Sequence, residues 1–125
     1  RPGRRRGSGP PRDNPRMQTS YETPEPARAE IDTLPGPTVI EFGSPGCGWC
    51  RAAQPLIAAT LDARPEIRHL KIADGPGRPL GRSFRVKLWP TLVFLRDGAE
   101  VARVVRPADA AELQAAATRV SEPPA

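Results

Sequence analysis

Apolar positions along this chain fall into blocks of two different periods. Thr38-Val39-Ile40-Glu41-Phe42 is a β-branched run that reads as a buried strand with one acidic interruption. From Cys47 to Ala63 the spacing changes. Ala53, Leu56, Ile57, Thr60 and Leu61 recur at three- and four-residue steps, the signature of one helix face. Pro55 falls inside this helix, where it removes a backbone donor and is expected to kink the axis. Ile67–Ala73 reads as a second strand, with Leu70 and Ile72 on one face. The Gly-, Pro- and Arg-rich stretch Asp74–Val86 offers no more than a short helix near Leu80–Phe84. Pro90–Leu95 is a strongly apolar strand, Arg96-Asp97-Gly98 a hairpin turn, and Glu100–Val105 the return strand. The imperfect alternation of that return strand predicts a bulge. Pro107 marks the start of an Ala-rich amphipathic helix to about Val120, with Ala110, Leu113, Ala117 and Val120 facing inward. Upstream, a short helix over Ala27–Thr33 ends at the turn Pro35-Gly36-Pro37.

The resulting order is strand, helix, strand, short helix, strand, strand, helix. A parallel βαβ unit followed by an antiparallel ββα unit gives one α/β domain. Its mixed sheet has four to five strands and helices on both faces. Composition adds a boundary. Residues 1–16 hold six Arg, one Asp and no large apolar side chain, so a disordered tail is expected there, a domain over 17–121, and a frayed end over 122–125. The tail alone accounts for the net charge of +5, because residues 17–125 carry 13 basic and 13 acidic side chains. Its chemistry suits RNA, DNA or an acidic membrane surface. The reading adopted is a solvated leader, or a start placed upstream of the true one at Met17, and no nucleic acid is expected. No stretch resembles a signal peptide or the ~20 apolar residues needed to span a bilayer, so a cytoplasmic protein with no membrane contact is expected.

The chain has two cysteines, and they sit together as Cys47-Gly48-Trp49-Cys50 between the first strand and its helix. Two intervening residues close too short a loop for a structural staple, which gains most from a long one. A pair easily made and broken suits an electron carrier. If Cys47 opens the helix, its sulfur faces unpaired N–H groups and the positive end of the helix dipole, both of which favour the attacking thiolate and lower its pKa. A metal site is the competing chemistry. Two thiolates and the single His69 fall short of the four ligands a closed zinc site needs, and His69 is read as a surface residue. No metal and no cofactor beyond the dithiol is expected.

Four features at consistent spacing give the chain its resemblance to the thioredoxin family, over roughly Pro37 to Val120. A strand ending at Phe42 leads into Cys47-Gly48-Trp49-Cys50; the helix carries Pro55; Pro90-Thr91 opens a later apolar strand; and the turn glycine Gly98 follows. The resemblance implies a thiol–disulfide oxidoreductase that reduces protein disulfides. Cys47 would be the nucleophile, Cys50 the resolving thiol that closes the Cys47–Cys50 disulfide, and Glu41 the buried acid that moves the resolving proton. Gly48, Trp49, Trp89, Pro90 and Thr91 would contact substrate, with the bond before Pro90 cis. Flanked by apolar neighbours, Glu41 is expected to have a raised pKa. The implied partners are disulfide-bearing proteins and an electron donor of the thioredoxin reductase type, and a monomer is expected. The chain also departs from the family pattern. Gly43 and Gly46 stand where aromatics are usual, Trp89 replaces a smaller residue, Arg106 stands where a glycine follows the last strand, and Lys71 is the candidate for the lysine near the buried acid. Two alternatives stay open: a redox-inactive thioredoxin-like binding module with a basic recruiting tail, and an envelope disulfide-exchange protein if a signal peptide or anchor precedes this sequence.

Overall fold

The strand that reads as apolar on both sides becomes an inner strand of the sheet. In a computed structural model describing Thr19–Glu122, β1 (Pro37–Gly43) is flanked by β2 (Arg68–Ala73) and β3 (Thr91–Arg96), and β4 (Ala99–Val105) completes the order β2-β1-β3-β4. The expected tail over 1–16 and residues 123–125 of the expected frayed end lie outside the described residues. β1 runs parallel to β2 and antiparallel to β3, and β3 pairs antiparallel with β4. The sheet therefore has four strands among the described residues. The segment ahead of the first helix adds one backbone bond along the β2 edge, Glu22 N–H to the Lys71 carbonyl at 2.8 Å.

Among the described residues four helices cover the sheet: α1 (Arg28–Asp32), α2 (Gly48–Asp62), α3 (Pro79–Ser83) and α4 (Ala110–Ser121). One core lies under α2 and α4, where Ile57, Leu61, Leu113 and Val120 meet Val39, Leu92 and Phe94. The other lies under α1 and α3, where Ile31, Leu80 and Phe84 meet Ile40, Phe42, Ile72 and Val93. Alternation along β1 sends Val39 to the first core and Ile40 to the second, as a sheet buried on both faces requires.

The hairpin between β3 and β4 turns on Asp97 and Gly98, both at positive φ (50° and 84°), the backbone a two-residue primed turn needs. A Cβ at Gly98 would collide with the Asp32 backbone, so glycine is also a packing requirement there. The bulge appears as a register shift after Phe94, which pairs with Ala102 while Leu95 pairs with Glu100. One boundary moves. α4 begins at Ala110, not at Pro107, because the Asp109 carboxylate accepts the Ala111 N–H at 2.9 Å and caps the helix there.

Candidate active site

The turn after β1 delivers Cys47 to the N-cap of α2, and the first helical turn carries Cys50 back beneath it. The two are joined as a disulfide with Cα atoms 5.2 Å apart. Cys47 is half-buried at the surface and Cys50 is buried, so one sulfur faces outward and the other inward. Cys47 Sγ accepts the Cys50 backbone N–H at 3.0 Å, an orphan donor of the helix start aimed at the outer sulfur. β1 makes room for the inner one. A Cβ built on Gly43 would stand 2.7 Å from Cys50 Sγ and 3.6 Å from the Tyr21 hydroxyl, so the missing aromatic at this position leaves space that the sulfur occupies.

Behind Cys50 lies a closed polar cluster. Glu41 is 1 % exposed on the α2 face of β1. Its Oε1 accepts from His69 Nε2 at 2.9 Å and its Oε2 from Gln54 Nε2 at 2.8 Å, while Lys71 Nζ stands 3.7 Å from Oε2. Gln54 also donates to the Cys50 carbonyl at 3.0 Å and accepts from Lys71 Nζ at 3.2 Å, which ties the acid to the helix that carries the dithiol. The cluster corrects two expectations. His69 is 3 % exposed, not on the surface: it shares a strand face with Lys71, and in this sheet that face is covered by helix. Burial does push the Glu41 carboxyl up, and it is the largest single influence. The hydrogen bonds and charges of His69, Gln54 and Lys71 together outweigh it and hold the carboxyl below its ordinary range, opposite to the expected direction. Tyr21 closes the cluster from the N-terminal segment. Its ring lies 5.2 Å from Lys71 Nζ, and burial together with the Glu41 charge pushes its phenol up.

The remaining predicted residues gather around Cys47. Trp49 is 59 % exposed, and Gly48 beside it is exposed. The Trp89–Pro90 bond is cis, and Trp89 Nε1 donates to Asp74 Oδ2 at 2.9 Å. Phe42 pairs with Thr91, so Pro90 comes one step further along the ladder, opposite Gly43, and is buried. Thr91 is buried, and its hydroxyl donates to the Leu88 carbonyl at 2.6 Å, so its side chain shapes the loop from inside. Arg106, the substitute for a glycine, keeps the glycine-like backbone at φ 48°. Its guanidinium lies 4.6 Å over the Trp49 ring and donates to the Trp89 carbonyl at 2.9 Å, bridging the dithiol helix and the proline loop. Gln54, Asp74 and Tyr21 were not singled out from the sequence. Gln54 had a usable signal, because it lies four residues after Cys50, one helical turn on. Among the described residues no group of three or more His, Cys, Asp or Glu side chains is placed to hold a metal, and no helix is long and apolar enough to cross a membrane.

An outward sulfur at a helix cap, bonded to a buried one a turn along the same helix, is the arrangement of a thiol–disulfide oxidoreductase. Comparison with known proteins gives the family. The Thioredoxin family profile matches residues 19–119, and the chain belongs to the thioredoxin family. It is 62 % identical to thioredoxin 2 of Pseudomonas aeruginosa, solved in its reduced form, with a TM-score of 0.71 over 80 % of this chain and 93 % of that one. It is 34 % identical over 67 residues to thioredoxin H-type 1 of Nicotiana tabacum, covering 54 % of this chain and 53 % of the tobacco protein. It is 42 % identical over 64 residues to protein disulfide-isomerase A2 of Pongo abelii, covering 48 % of this chain and 12 % of the isomerase. The chain thus spans about half of the tobacco protein and a smaller part of the isomerase.

Proposed function

We propose that the chain reduces disulfide bonds in protein substrates, taking its electrons from a donor of the thioredoxin reductase type, as a monomeric cytoplasmic domain over residues 17–121. The observation that carries this reading is the unequal exposure of one bonded pair, with Cys47 at the rim on the helix cap and Cys50 buried against the Glu41 cluster. In the reduced protein, Cys47 thiolate attacks one sulfur of a substrate disulfide. The S–S bond breaks, one substrate thiolate leaves, and a mixed disulfide to Cys47 forms. Cys50 then passes its proton to the Glu41 carboxylate and attacks Cys47 Sγ. The second substrate sulfur leaves as a thiolate, which takes up a proton, and the Cys47–Cys50 bond closes, so two electrons have moved from the dithiol to the substrate. The Glu41 carboxylate is unprotonated and can take up the Cys50 proton, although the partners that hold it ionised also make it a weaker base, so the proton rests on it only transiently. Gly48, Trp49 and Trp89 form the rim against which the substrate chain lies, with Pro90 and Thr91 buried beneath it holding the loop.

The test is turnover on a disulfide-linked protein with dithiothreitol as electron source. Cys47→Ser is expected to abolish turnover, and Cys50→Ser to accumulate a mixed disulfide visible by mass. Undiminished turnover in Cys47→Ser would overturn the assignment of the nucleophile.

A further inference from the structure

Charge is distributed unevenly over a body that sums to zero. Three segments frame the dithiol: the start of α2, the stretch from Asp74 to Trp89, and the end of β4. They carry six basic residues, Arg51, Arg78, Arg82, Arg85, Lys87 and Arg106, against one acid, the half-buried Asp74. Among the described residues none of the six takes part in an ion pair, whereas Arg28, Arg64, Lys71 and Arg103 all do. Four of the six, Arg78, Arg82, Arg85 and Lys87, line one open cleft of about 500 Å³ with Asp74 on its wall. Two acids pack against α3, and Oε1 of one of them, Glu25, is buried without a hydrogen-bond partner among the described residues. Asp74 accepts the Trp89 indole N–H, and Glu25 accepts the Leu80 backbone N–H at 3.1 Å.

The cleft is joined to the reacting sulfurs. The Asp74 backbone N–H donates to the Gly43 carbonyl at 2.7 Å, and Gly43 is the residue that abuts Cys50 Sγ. Lys87 belongs to the loop that carries Trp89 and cis-Pro90. A polypeptide held for exchange against the Trp89–Pro90 loop therefore has these cations beside it. Like charges gathered without partners repel one another, and an anionic chain laid along them relieves that repulsion and is steered toward them from solution.

We propose that the cleft is a docking groove for an acidic stretch flanking the substrate's disulfide, so that the preferred substrates are proteins whose exchangeable disulfide lies among Asp and Glu residues. This rests on the reductase reading above and names its substrate class. A protein chain fits better than a nucleic acid because the groove begins at the loop where the disulfide-bearing chain has to lie.

The test uses the reduced full chain and three disulfide peptides that share one cystine loop and differ in their flanks, which are Asp/Glu, Ser/Gly or Lys. At low salt the acidic peptide should be reduced on the order of tenfold faster, in kcat/KM, than the neutral one, with the Lys peptide slowest. The preference should fade by 0.5 M salt, where the screening length falls to roughly 4 Å. The triple variant Arg82→Gln, Arg85→Gln, Lys87→Gln should lose the preference while reducing the neutral peptide at the wild-type rate. Equal rates for all three peptides, or a preference that survives in the triple variant, would overturn the groove. Competition by a single-stranded oligonucleotide as strong as by the acidic peptide would replace it with a nucleic-acid site. If no peptide is reduced at all, the reductase reading falls, and this inference with it.

Discussion

The two sides of the Cys47–Cys50 bond handle charge in opposite ways. Behind Cys50, Glu41, His69 and Lys71 are out of water, and each is held by a partner within this small cluster. Around the Cys47 side lie six cations, none of them in an ion pair among the described residues, five of them exposed. Burial explains the first arrangement. A charge removed from water without a partner costs several kcal/mol, so the inner side admits charges only as a closed set. The outer side has no such constraint, and its cations stay available for whatever docks. The comparison separates two tasks that one dithiol must combine: moving a proton in a fixed environment, and choosing among substrates in a wet one.

Removing the acid should break the inner side and spare the outer. Glu41→Ala is expected to slow resolution of the mixed disulfide by roughly 10²–10⁴-fold, the usual weight of a positioned acid or base, while attack by Cys47 changes far less. Rapid mixing that follows the mixed disulfide separates the two steps. Equal slowing of both would remove Glu41 from the proton transfer and leave it a structural acid.

The same cluster should show in stability against pH. The folded Glu41 carboxyl lies below its ordinary value of 4.5, so its contribution is fully present above that value and is lost as pH falls toward the folded one. Glu41→Gln at neutral pH leaves His69 and Lys71 facing a neutral amide, and should cost about 3 kcal/mol. The gap between wild type and variant should then narrow on acidification below 4.5. Glu66 and Glu100, which are also held low by their own partners, are common to both chains and cancel in the difference. Denaturant unfolding at stepped pH measures the gap. A gap constant with pH would mean that Glu41 is not ionised in the fold.

What the sequence revealed follows from how far each signal reaches. Periods of two and near four, together with the Asp97-Gly98 turn, carry the order of strands and helices because they are local. The placement of Cys47 at a helix start is legible for the same reason. The charge state of Glu41 is not, since Val39, Ile40 and Phe42 announce a desolvated acid while the groups that reverse its titration come from β2 and α2. The burial of His69 is only half legible in the sequence. Leu70 and Ile72 do share a face, but on a strand parallel to β1 the opposite face is covered as well. Pro107 is a fair helix signal that lost to a better one two residues on, the carboxylate of Asp109. Arg106 was visible only as a departure from glycine. That its side chain would link Trp49 to the Trp89 carbonyl depends on two segments far away in sequence.

Arg106 offers the finest test of the outer side, because it sets backbone strain against contact. At φ 48° a residue with a Cβ costs on the order of 1–2 kcal/mol, partly offset by the lower entropy of its unfolded chain. The stack on an exposed Trp49 is worth about 0.5–1 kcal/mol. Arg106→Ala discards the contact and keeps the strain, whereas Arg106→Gly discards both. The Gly variant should therefore be more stable than the Ala variant by about 0.5–1 kcal/mol, and should lie within about 1 kcal/mol of wild type, in denaturant midpoints at equal slope. An Ala variant as stable as the Gly variant would mean that the backbone at this position relaxes once the guanidinium is gone. In that case the contacts to Trp49 and Trp89 are what impose the left-handed turn, and the rim is shaped by its cation rather than merely decorated with it.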